Sequence, residues 1–217
     1  MIILGLTGSI GMGKSTAARQ LRRLGFPVHD ADAVVHRLLA RGGAAVTAIA
    51  AAFPGVVRDG AVDRRALGGL VFGNPVLLKR LEAILHPLVR QAEHRFLARA
   101  RRQRRRLVVL DIPLLFETGG QARCDAVAVV SAPPFVQARR VLARPGMTPE
   151  RLEAIRRSQM ADADKRRRAD VIIPTGRGYR PALRALVQVT AALAQSGEDG
   201  QRNALRLCCA ISSEKQH

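Results

Sequence analysis

A chain of 217 residues, 47% of them hydrophobic, can bury a sizeable core and is expected to be soluble and globular, which excludes a disordered chain. No apolar run reaches the roughly 20 residues needed to cross a bilayer, so no membrane partner is expected. The net charge of +19 points first to nucleic acid, but aromatic content is 3%, with no Trp and one Tyr, so stacking platforms for single strands are scarce. The densest basic block, "RARRQRRR" (Arg99 to Arg106), reads as a solvated helix end. Small polyanionic substrates rank next as the reason for the charge, and a polynucleotide ranks behind both.

"MIILGLT" is short and continuously apolar, the pattern of a buried parallel strand. It stops at a glycine loop and lacks the basic n-region and small-residue cleavage site of a signal peptide, which makes the cytosol the expected compartment. A helix follows from Lys14 to Leu24, closed by Gly25, and "FPVHD" is a second short strand. From Asp32 to Arg102 the pattern is helical throughout, with breaks at Gly42-Gly43 and Pro54-Gly55 and a kink or break at Pro87. "RLVVLDIP", "DAVAVVSA" and "ADVIIPT" are further strands; "PPFVQARRVLAR" is a helix started by prolines, and "RPALRALVQVTAALAQ" is the last helix. Strands alternating with helices predict an α/β fold with a parallel sheet. The core spans about 1–31, 103–143 and 169–196, with a helical insertion at 32–102, a charged lid at 144–168 and a disordered tail at 197–217. Cys124 stands alone and Cys208-Cys209 lie in that tail, so no zinc spacing or disulfide framework is present.

The stretch "GSIGMGKST" has the pattern G-x-x-x-x-G-K-[ST] between a buried strand and a helix. Gly8, Gly11 and Gly13 let the backbone turn its N–H groups toward phosphate, and Met12 adds bulk at that turn. Lys14 can reach the β- and γ-phosphates, Ser15 can bind Mg²⁺, and Thr16 follows in the first helical turn. Asp111, ending its strand, is placed to act on the same Mg²⁺. In "HDADAVVH", Asp30 and Asp32 stand at a strand end, where a carboxylate could orient an acceptor hydroxyl and take its proton, or simply cap the next helix. Arg140 lies where a core helix meets the lid, so that lid closure could bring it to phosphate. Arg144, Arg151, Arg156 and Arg157 are further lid candidates.

Together, "GLTGSIGMGKST", "DADAVVH", "DRRALGGLVF", "LHPLVR", "DIPLLFE", "RSQM" followed by Lys165, and "ADVIIPTG" resemble the dephospho-coenzyme A kinase family across roughly Ile3 to Gln195. The resemblance implies a phosphate-loop (P-loop) kinase core, a helical subdomain for the coenzyme A precursor and a mobile lid. It implies transfer of the γ-phosphate of ATP, with Mg²⁺, to the ribose 3′-hydroxyl of dephospho-coenzyme A. Asp32 would be the general base, and Lys14 and Arg140 would stabilise the transferring group. Arg64, His86 and Arg90 would lie near the acceptor, as would Glu117, with Gln159 in the lid. The chain departs from the family at Ser9 and Met12, where Gly and Ser are usual. It departs again at Pro174-Thr175, where Asn usually precedes Gly176 in a region that helps hold adenine. Oligomeric state is left open by the sequence.

Overall fold

The computed structural model describes residues 1–195; the tail expected to be disordered, with Cys208 and Cys209, lies outside the described residues. In chain order the elements are β1 (Ile2–Thr7), α1 (Lys14–Arg23), β2 (Val28–Asp30), α2 (Ala31–Leu39), α3 (Val46–Ala52), β3 (Val57–Arg58), β4 (Ala61–Val62) and α4 (Arg64–Val71). They continue with α5 (Pro75–Arg102), β5 (Leu107–Asp111), β6 (Ala126–Ser131), α6 (Pro134–Leu142), α7 (Pro149–Ser158), α8 (Asp162–Arg168), β7 (Val171–Pro174) and α9 (Tyr179–Gln195). The chain divides into two compact units, Met1–His29 with the residues from Ala100 onward, and Asp30–Arg99.

The first unit is built on a five-stranded sheet of order β2-β5-β1-β6-β7. β1 pairs in parallel with β5, from Ile2 opposite Leu107 to Leu6 opposite Asp111, and on its other side with β6. β7 extends the sheet in parallel beyond β6. Strands covered on both faces read as unbroken apolar runs, and β5 and β6 are buried at every residue. The two faces are told apart by alternation along β6. Ala126, Ala128 and Val130 join Leu4, Leu6 and the inner sides of α1 and α9, while Val127 and Val129 pack with Leu115 and Phe116. Because β1 sits between two parallel neighbours, the loop that leaves its C-terminal end opens at the edge where ligands of such sheets bind.

The second unit has its own core of Leu39, Ala45, Ile49, Phe53, Val56, Val62 and Leu67, against which Leu77, Leu81, Ile84 and Leu88 of α5 pack. The sequence predicts this stretch to be entirely helical, and here the structure differs. β3 and β4 form an antiparallel hairpin, Val57 opposite Val62 and Arg58 opposite Ala61. Its turn has Asp59 at φ 49° and Gly60 at φ 74°, the two positive φ values of a two-residue turn whose twist suits a hairpin. The Asp-Gly pair flanked by "VVR" and "AV" carries that signal, on strands too short to show period-two alternation. Of the kink or break expected at Pro87, no break occurs: the residue lies inside one continuous helix. Apolar residues on both sides of Pro87 pack on the same core, and this offsets the one backbone hydrogen bond that proline removes.

Leu6, fully buried in the central strand, is expected to be critical to the first unit. Leu6→Ala should lower unfolding stability by about 2–5 kcal/mol in urea titrations, through lost transfer energy plus a cavity.

Candidate active site

The loop after β1 is held by side chains from three other elements. Ile10 donates its N–H to Gln159 Oε1 at 3.0 Å, and its carbonyl accepts from Gln137 Nε2 at 2.8 Å. The Gly11 carbonyl accepts a long bond, 3.4 Å, from Arg140 Nη1, and the Met12 carbonyl accepts from Thr175 Oγ1 at 2.6 Å. Gly13 adopts φ +93° with Thr175 so close that a Cβ would lie 3.3 Å from its Oγ1. Helix α1 starts at the next residue, with no side-chain cap on its first turn. An uncapped helix start carries free N–H groups and a partial positive charge, which together suit a phosphate.

Met12 does not project at the phosphate-facing turn as the sequence suggests. Its side chain is 2% exposed, belongs to the core beneath the loop, and accepts the Ala132 N–H on Sδ at 3.2 Å. The bulk therefore fills the gap between the loop and the end of β6.

Lys14 Nζ lies 2.6 Å from Asp111 Oδ1, joining the start of α1 to the end of β5. Asp111 is 3% exposed, while Ser15 and Thr16 are open to solvent. One carboxylate and one hydroxyl are a sparse set of hard oxygen donors. No group of three or more His, Cys, Asp or Glu side chains suited to a metal occurs among the described residues. Such a set fits Mg²⁺, which keeps several waters and is bound by one or two protein groups plus substrate phosphates.

Arg140 needs no swing of the charged 144–168 segment to approach the loop. Its Nη2 donates to the Thr175 carbonyl at 2.7 Å and its Nη1 to Thr175 Oγ1 at 3.2 Å, beside the bond to Gly11. Within the charged segment, α7 and α8 differ. Arg156 of α7 donates to Gln137 Oε1 through Nε and Nη2, at 3.1 and 2.8 Å. Arg144, Arg151 and Arg157 are exposed. By contrast, α8 is built into the sheet unit. Asp162 accepts from Ser131 Oγ at 2.7 Å, and Lys165, with no exposed surface, sits 2.8 Å from Glu117 Oε1. Met160 donates its N–H to the same Glu117 oxygen at 2.9 Å. Burial alone would raise the Glu117 carboxyl, but the Lys165 ammonium and the Met160 N–H outweigh it and hold the group below its ordinary 4.5.

In the second unit the two acids of "DAD" have different fates. Asp30 Oδ1 accepts the Ala33 N–H at 2.9 Å and caps α2. Asp32, two residues on, is exposed, with no hydrogen bond or ion pair among the described residues. Arg64 opens α4 behind its cap Asp63, and its Nη1 meets His36 Nε2 at 2.6 Å. His86 and Arg90, four apart on α5, share one exposed helix face.

Reading the sequence misses the ties made by Gln137 and Thr175, since neither residue type signals a bond to a distant carbonyl. The basic block is exposed from Arg101 to Arg106 and precedes β5, whose far end is Asp111. It thus lies about 16 Å of strand away from Lys14.

A glycine loop of this kind at the end of a central parallel strand, with Lys14 on the acid that ends the neighbouring strand, marks the first unit as a phosphate-loop kinase core. A sequence model of dephospho-CoA kinase matches residues 2–178. A dephospho-CoA kinase of Paramagnetospirillum magneticum is 75% identical over 166 residues, covering 76% of this chain and 78% of the relative. One of Rhodospirillum rubrum is 60% identical over 198 residues, 90% of this chain and 93% of the relative. The crystal structure of TT1252 from Thermus thermophilus shares the fold at a TM-score of 0.80 and 41% identity, over 90% of this chain and 98% of that one. The chain belongs to the dephospho-CoA kinase family, the phosphotransferases of the last step of coenzyme A biosynthesis.

Because Glu117 titrates below its ordinary value, its contribution to stability is present above pH 4.5 and is lost as pH falls through the folded value. Glu117→Gln should be less stable than the natural chain at pH 7. The gap should narrow in urea titrations taken from pH 5 to pH 4 and below; a gap independent of pH would show that the charge of Glu117 contributes nothing.

Proposed function

We propose that the chain moves the γ-phosphate of ATP to the ribose 3′-hydroxyl of dephospho-coenzyme A, with Asp32 as the general base. The hydroxyl oxygen bonds to the γ-phosphorus, the bond to the ADP oxygen breaks, and the hydroxyl proton passes to Asp32. The observation that carries this role is the division between the two acids: Asp30 caps α2, while Asp32 is exposed and has no partner among the described residues. A hydrolase would instead need a group that positions water.

ATP would lie on the Gly8–Thr16 loop, with N–H groups and the start of α1 around its β-phosphate. Lys14 would turn from Asp111 to the transferring oxygens, and Arg140, already at the loop, would add positive charge beside them. Mg²⁺, held by Ser15 and Asp111, would neutralise charge between the β- and γ-phosphates. Arg64, His86 and Arg90 are cationic or polar groups exposed for the anionic acceptor, and Glu117, whose Oε1 holds Lys165 and Met160, would contact it as well. The part of the charged segment that would close as a lid is Arg144 to Ser158, since α8 is bonded into the sheet unit. No helix among the described residues is long and apolar enough to cross a membrane. A cytoplasmic site of action accords with both substrates.

A coupled ADP-release assay with Mg-ATP and a panel of acceptors tests the reaction: dephospho-coenzyme A should be strongly preferred over AMP, nucleosides and water. Equal turnover with water would overturn it. Asp32→Asn should lower kcat by about 10²–10⁴-fold while ATP affinity stays within about twofold. A matching loss of ATP affinity would make Asp32 structural.

A further inference from the structure

We propose that Gln137 and Thr175 are positioning residues for ATP, each turning one carbonyl of the glycine loop away from the nucleotide so that the next N–H faces phosphate. This rests on the reading of Gly8–Thr16 as the ATP cradle. In a trans peptide the C=O of one residue and the N–H of the next point in opposite directions. Fixing the Ile10 carbonyl on Gln137 therefore turns the Gly11 N–H to the other side. Fixing the Met12 carbonyl on Thr175 does the same for the Gly13 N–H. The intervening Met12 N–H closes a turn onto Ser9 O at 3.2 Å, so Gly11 and Gly13 are the loop N–H groups that these ties release.

The ties matter because each controlled peptide is followed by glycine. Glycine accepts either sign of φ, so little opposes a flip of the 10–11 or 12–13 peptide. A flipped peptide would present a carbonyl oxygen to the phosphate in place of a donor, exchanging attraction for repulsion.

Both side chains have their polarity set by an arginine. Gln137 is 5% exposed, and its Oε1 accepts two bonds from Arg156, which can only donate. The amide therefore cannot reverse, and Nε2 must face Ile10. The Thr175 hydroxyl accepts from Arg140 Nη1, so its single proton goes to a carbonyl; Met12 O at 2.6 Å is closer than Ser131 O at 3.2 Å. Arg156 lies on α7, so the tie at Ile10 also links the cradle to the segment proposed to close over it.

Calorimetric titration with Mg-ATP, in the absence of any acceptor, tests this independently of which acceptor is used. Thr175→Val removes the donor and keeps the shape; Gln137→Glu still accepts from Arg156 but cannot donate to Ile10. Each should weaken ATP binding by about tenfold, the value of one hydrogen bond that must otherwise be left unmade. Thr175→Ser should restore affinity. In steady state, KM for ATP should rise in both variants, with KM for dephospho-coenzyme A unchanged. Natural affinity in either folded variant would overturn the proposal, as would a loss that Thr175→Ser does not rescue. If the natural chain bound ATP but ignored dephospho-coenzyme A, only the acceptor assignment would fall.

Discussion

A loop that shows its N–H groups to phosphate must place its carbonyls elsewhere, and in this protein three successive carbonyls are each met by a donor. Gln137, Arg140 and Thr175 reach Ile10, Gly11 and Met12 from α6 and from the end of β7. None of these contacts is local in sequence. They exist because parallel pairing of β1, β6 and β7 brings the three strand ends to one edge, where α6 begins. On the proposed reading, the charge on phosphate would be met by a backbone arranged in advance, with no reorganisation when the nucleotide arrives.

The same edge carries two ion pairs with different surroundings. Lys14 and Asp111 meet at the mouth of the loop, next to exposed Ser15, where a triphosphate can compete for the lysine. Lys165 is wholly buried against Glu117, and removing the acid would leave an uncompensated charge inside the protein. The first arrangement can exchange partners and suits chemistry. The second fixes α8 to the segment that follows β5.

In the second unit, local capping gives the two acids of "DAD" different surroundings. A helix beginning directly after β2 leaves orphan N–H groups, and Asp30, at the cap position, satisfies one of them. Asp32 lies in the first turn of α2, and its side chain has no hydrogen bond or ion pair among the described residues. The surplus of positive charge follows a similar logic of place. The exposed arginines before β5 stand at the opposite end of that strand from Asp111, remote from the phosphate loop.

Much of this protein was legible in its residues because the signals were local. Continuous apolar runs mark the buried strands, the glycine spacing marks the phosphate cradle, and "DAD" with "HPLVR" marks the family. The Asp59-Gly60 hairpin was also written there, but strands of two residues show no period, and a helical reading covered it. Other features had no local signature. That Met12 turns into the core, that Arg140 rests on the loop without help from the lid, and that Thr175 grips a carbonyl 163 residues away follow from how strands 1, 6 and 7 are paired. The sequence by itself determined which groups could bind phosphate and take a proton. Only the tertiary structure decided which peptide planes and side chains are turned toward that task, because direction is set by contacts between elements distant in the chain.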